Sequence, residues 1–197
     1  MKKIVLILCG MLCMVSLAQA QSLGGLLKAF SGETTKAEAP KPNHPSARDL
    51  VGKWSYQALT MEYTGNDALA SLAISSAKEQ LATLNTKLGL TPGKDYIQVK
   101  SNGSLTIGIG DEKISGRYSY IPPTGGLIIT LGEDNNKIIL SATATLRGEE
   151  LYVMFNAKEL IAIAEAGAPN IGEEQIFAIA KALINAYDGI MIGARFN

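Results

Sequence analysis

The stretch from Tyr96 to Phe155 is cut at short, even intervals by turn-forming residues, and this limits the fold more than any other feature of the chain. Asn102-Gly103, Gly110-Asp111, Pro122-Pro123-Thr124-Gly125-Gly126, Glu133-Asp134-Asn135-Asn136 and Arg147-Gly148-Glu149 separate segments that alternate apolar and polar residues. A period of two marks a strand with one buried face. Asn-Gly supplies the positive φ values of a tight hairpin. Parallel neighbours need a crossover of about a dozen residues or more, and these connections cannot provide one. Tyr96–Lys100, Leu105–Ile109, Lys113–Ile121, Leu127–Leu131, Lys137–Leu146 and Leu151–Phe155 therefore read as successive antiparallel strands of a meander.

Two further strands bracket this set. Lys53 to Tyr63 alternates from the only Trp, Trp54, and Ile190 to Phe196 closes the chain. Eight antiparallel strands can close on themselves, because the last pairs with the first and no edge is left bare. Such a barrel has an interior that side chains fill or that holds one small ligand. An open, strongly bent sheet with helices packed on it is the alternative architecture.

Helices interrupt the strands in two places. Asn66 stands where an N-cap would begin a helix from Asp67 to Leu88. Leu69, Leu72, Ala73, Ala77, Leu81, Leu84 and Leu88 form its apolar stripe, and Gly89 ends it. Asn156 with Glu159, and Asn170 with Glu173, have the spacing of capping boxes for helices over Ala157–Ala166 and up to Tyr187. The expected fold is mainly β with helical insertions: an eight-stranded antiparallel meander barrel, one helix after strand 1 and two before strand 8.

The N-terminus reads as an export signal. Lys2 and Lys3 precede an apolar run from Ile4 to Leu17, which is shorter than the about 20 residues of a spanning helix. Ala18-Gln19-Ala20 offers a cleavage site, so residues 1–20 are expected to be removed and the product to be periplasmic or secreted. Both cysteines, Cys9 and Cys13, lie within that segment, and neither stands at a good lipidation site. An exported chain without thiols must hold together by its hydrophobic core. Residues 21–48 are rich in Pro and polar residues and read as a flexible leader and linker, leaving 49–197 as one barrel domain. Lys and Arg number 18, as do Asp and Glu, with no basic run. That balance argues against nucleic acid or an anionic membrane surface as partner.

Gly52-Lys53-Trp54, at the start of strand 1, resembles the Gly-x-Trp of lipocalins. Leu50-Val51, Asn102-Gly103-Ser104-Leu105, Ile114-Ser115-Gly116-Arg117-Tyr118 and Tyr187-Asp188-Gly189 extend the likeness to a lipocalin-like family of exported Gram-negative bacterial proteins, a domain of unknown function. The resemblance covers Leu50 to Phe196 and implies a fold and an export route rather than an activity. It also implies structural roles for Gly52, Trp54 and Arg195, with the Arg195 guanidinium covering the Trp54 indole. Lipocalins carry their long helix after strand 8, so helices inserted here depart from that pattern.

Catalytic chemistry is sparse. The only His is His44, in the linker, so the core has neither a Ser-His-Asp arrangement nor imidazole or thiolate metal ligands. No phosphate-binding Gly-rich loop is present, and the chain is read as a non-enzyme without a cofactor or metal. The adjacent acids Glu149-Glu150 and Glu173-Glu174 suit a solvated turn and a helix start. Alternation from Trp54 puts Tyr56, Ala58, Thr60 and Glu62 on the inner face; Ile114, Gly116, Tyr118 and Tyr120 share one on strand 4, as do Leu140, Ala142 and Ala144 on strand 6, and Leu151, Val153 and Phe155 on strand 7. An apolar cavity with a few tyrosine hydroxyls is the usual form of a small-molecule site. The candidate ligand-binding residues are accordingly Tyr56, Thr60, Glu62, Tyr118, Tyr120 and Phe155, for a small hydrophobic ligand. The alternative is a filled barrel acting as a structural or interaction protein of the cell envelope, with a protein partner there.

Overall fold

The computed structural model describes residues 43–68, 70–72, 74–75, 89–132, 137–167, 181–182 and 184–197. The strands run β1 (Gly52–Tyr63), β2 (Tyr96–Val99), β3 (Ser104–Ile109), β4 (Glu112–Ile121), β5 (Gly126–Leu131), β6 (Ile138–Arg147), β7 (Glu150–Asn156) and β8 (Ile190–Phe196). Each pairs antiparallel with the next, and β8 pairs with β1, so the eight strands form a closed barrel. The closed meander predicted from the turn spacing is thus the fold, and the open sheet is not. Leu105, Leu127, Ile129, Leu131, Leu151 and Ile192 are fully buried and supply the core.

Strand β1 serves two neighbours. Gly52 to Ser55 pair with β2, and Tyr56 to Tyr63 pair with β8. A bulge between Tyr56 and Ala58 marks the handover. A bulge puts two residues opposite one, so the side chains after it change face. Tyr56 lies inward and so do Leu59 and Met61, all buried, whereas Thr60 and Glu62 fall on the outer face.

One end of the barrel is closed by chain that the sequence reading placed in the linker. A one-turn helix, α1 (Ala47–Leu50), starts at a capping box in which Ser46 Oγ accepts from the Asp49 amide and the Asp49 carboxylate accepts from the Ser46 amide. Leu50 is buried, and its carbonyl accepts a 3.0 Å hydrogen bond from Trp54 Nε1. Upstream, Asn43 forms a bridge with Leu146 of β6, whose amide donates to the Asn43 carbonyl. β5 pairs with β6 only as far as Thr143, so this segment occupies the place beside β6 that β5 leaves. Gly125, at φ +66°, permits the approach: a Cβ there would collide with the His44 ring and the Ala144 carbonyl.

After β7, α2 (Ala157–Gly167) begins at Asn156, whose side chain accepts from the Lys158 amide. Ala157, Leu160, Ile161 and Ala164 bury one face of it. The helix expected after strand 1 starts one residue later than predicted: Asp67, not Asn66, accepts from the Ala70 amide. Ala70 and Ile74 are its buried positions among the described residues. The remainder of that helix, most of the helix expected before strand 8, and the leader up to residue 42 lie outside the described residues. Among the described residues no helix is long and apolar enough to cross a membrane.

Candidate ligand-binding site

The barrel interior holds a cavity of about 140 Å³ that is open on one side. It lies away from the end sealed by α1, toward the β3–β4 turn and Leu90. Ile107 and Ile109 of β3, Ile114 of β4, and Ile129 and Leu131 of β5 form one wall. Leu59, Leu140, Val153 and Ala194 form the opposite one, and Tyr56, Phe155 and Phe196 add aromatic surface. The Tyr56 and Phe196 rings meet edge to face, with centroids 6.0 Å apart. This geometry directs the positive ring edge at the negative ring face.

Three residues with polar side chains line the cavity: Asp95, Tyr56 and Tyr96, the last with its ring under Lys53. Asp95 is 3% exposed. It follows the turn at Pro92-Gly93, and its carboxylate ties two turns together: Oδ2 accepts from the Thr91 amide at 2.7 Å, and Oδ1 from the Gly110 amide at 2.8 Å. Its carbonyl accepts from the Tyr56 amide, which extends the β1–β2 pairing one residue beyond Ser55, up to the bulge. Tyr56 is the second polar group. Burial pushes its phenol pKa up, a backbone hydrogen bond at Leu59 works against that, and the negative Asp95 adds to the rise.

Of the candidate ligand-binding residues, Tyr56 and Phe155 line this cavity. The other four stand elsewhere. Thr60 lies opposite Gly193 on the outer face, and Glu62 accepts from the Arg147 guanidinium through both carboxylate oxygens, at 2.6 and 2.9 Å. The bulge carries them there. Tyr118 and Tyr120 have the predicted inward parity but sit beyond the cavity, toward the sealed end. The Tyr118 hydroxyl donates to the Lys100 carbonyl at 2.9 Å, and the Tyr120 hydroxyl donates to the Pro45 carbonyl at 2.7 Å. Tyr120 thus holds the closing chain, and Tyr118 the turn between β2 and β3.

The structural residues divide similarly. Gly52 opens β1, and Trp54 packs against the core over Leu50. Arg195 does not cover Trp54. It lies opposite Ala58 and Tyr152 on the outer face, and its Nη1 is 3.3 Å from a Glu150 carboxylate oxygen. Trp54 precedes the bulge and faces inward, so the two side chains point to opposite sides of the sheet. Lys53 instead stands over the Tyr96 ring, 4.2 Å from its centroid, and Arg147 over Tyr152, at 4.4 Å.

Sequence reasoning missed Asp95, because an acid after a Pro-Gly turn reads as ordinary turn chemistry. It also missed the close approach of the Tyr96 ring to Gly108, where a Cβ would collide with it, and the small Ala194 in the cavity wall, having looked for small residues on strand 6. Ala142 and Ala144 there are buried against other core residues and do not line the cavity.

A closed antiparallel meander of eight strands around an apolar cavity defines a lipocalin-like barrel. The lipocalin-like domain family DUF4923 matches residues 28–197, and the chain belongs to that family. Neither a curated protein nor a solved structure matches it.

Proposed function

We propose that this protein is an exported, non-catalytic binding protein that holds a small apolar ligand inside its barrel. The cavity carries the reading. Natural interiors are close-packed, with few voids larger than a water molecule. Wall atoms around 140 Å³ of unfilled apolar space forgo the dispersion contacts that a close-packed interior would give them. A ligand of matching shape recovers that loss. Among the described residues the cavity wall is almost wholly apolar, which suits binding, and places no nucleophile beside a base. Export rests on the leader sequence, and protein recovered from its native cells should begin near Gln21.

Native mass spectrometry of protein purified without detergent is the direct test. The expected result is a mass increment released by organic extraction, or uptake of added small hydrocarbons by empty protein. Protein that arrives empty and takes up none would instead favour the interaction-protein reading.

A further inference from the structure

We infer that the cavity selects a neutral ligand of roughly one-ring size and excludes carboxylates and amines, so that fatty acids and other acidic metabolites are not its cargo. This deepens the proposed function and rests on the cavity being the ligand site.

Size comes first. Apolar cavities of about 150 Å³ stay free of water and take up benzene-sized molecules. At about 140 Å³, this one is of that class. Charge comes from the wall. Among the described residues, no Lys, Arg or His lines the cavity. Of the cations around the barrel wall, Lys53 stands over Tyr96, Arg147 pairs with Glu62 and Arg195 with Glu150, while Lys94 and Lys113 are exposed to solvent. A carboxylate entering the barrel would lose its hydration with no cation to replace it. It would also meet the field of Asp95.

Asp95 does not make the site an amine receptor. Both its oxygens are turned to the Thr91 and Gly110 amides, and almost no polar surface is left facing the cavity. An ammonium group would be stripped of water without reaching a carboxylate oxygen. The Tyr56 hydroxyl is likewise engaged, at the Leu59 backbone. A ligand with no strong hydrogen-bonding group is therefore the one that leaves nothing unpaired.

The test uses the full mature chain at neutral pH and four probes of one-ring size: toluene, nitrobenzene, benzoate and benzylamine. Nitrobenzene and benzoate are close isosteres that differ in charge. Calorimetric titration should show toluene and nitrobenzene binding, with benzoate and benzylamine weaker by about a hundredfold or more. Ala194→Leu and Val153→Phe fill the cavity from two strands, and each should abolish toluene binding. Benzoate or benzylamine binding within tenfold of nitrobenzene would overturn the selectivity and leave the cavity as the ligand site. Failure of toluene to bind, or binding that survives both filled variants, would overturn the proposed function and this inference with it.

Discussion

Asp95 combines two roles in one side chain: it terminates two turns and borders the cavity. Its replacement by Ala would take the acceptor from the Thr91 and Gly110 amides and lose two charge-assisted hydrogen bonds. The expected cost is about 3 kcal/mol, read from urea unfolding, with a smaller loss for Asp95→Asn, which keeps one acceptor oxygen. Tyr56 makes a pH prediction. Its pKa is raised by burial, so above about pH 10 the unfolded chain releases a proton that the folded chain still holds. Its contribution is complete below that pH and falls as the pH climbs, by about 1.4 kcal/mol per pH unit at most. Tyr118, Tyr120 and Tyr152 shift in the same direction, also chiefly through burial. Tyr56→Phe should therefore flatten the alkaline limb of the stability curve without abolishing it. An unchanged limb would show that this phenol is not shielded. Tyr56 and Phe155 were legible from alternation alone. Asp95 was not, since nothing in its sequence distinguishes a buried turn acid from an exposed one.

Among the elements, β1 shows where a sequence pattern stops being informative. The strand and its start at Gly52-Lys53-Trp54 were evident, yet the bulge in Tyr56-Gln57-Ala58 carries no Gly or Pro to announce it. A single unmarked residue moved Thr60 and Glu62 to the other face of the sheet. The same shift separates Arg195 from Trp54. Arg195→Ala should leave the Trp54 emission spectrum unchanged, and should cost no more than about 1 kcal/mol through loss of its half-exposed pair with Glu150. A clear spectral shift would place the guanidinium back over the indole. The closing segment is the second case. Three prolines and a polar composition made residues up to 48 read as tether, because composition reports solvation and not the carbonyls a chain can offer. Tyr120, Leu146 and Trp54 each use one of those carbonyls, at Pro45, Asn43 and Leu50. Tyr120→Phe should destabilise the protein by about 1 kcal/mol. It should also speed amide exchange between residues 43 and 51 ahead of the β5–β8 strands, and exchange rising equally everywhere would argue against a separate latch.

At the scale of the whole molecule, strand number, order and closure followed from turn chemistry, which acts locally and leaves its mark in consecutive residues. The cavity did not. It depends on how a dozen side chains from all eight strands fail to fill a shared volume, and no single segment records that failure. The apolar face of α2 is covered by β6, β7 and β8. The two ends of the barrel are chemically unlike. One is stitched shut by the chain ahead of β1, and the other holds the cavity. A vessel sealed at its base is a cup and not a conduit. A ligand held as proposed would have to enter and leave at the end where α2 attaches. Side chains at that end would then set how fast it exchanges, and the walls below how tightly it is held, so residence time and affinity would rest on different residues.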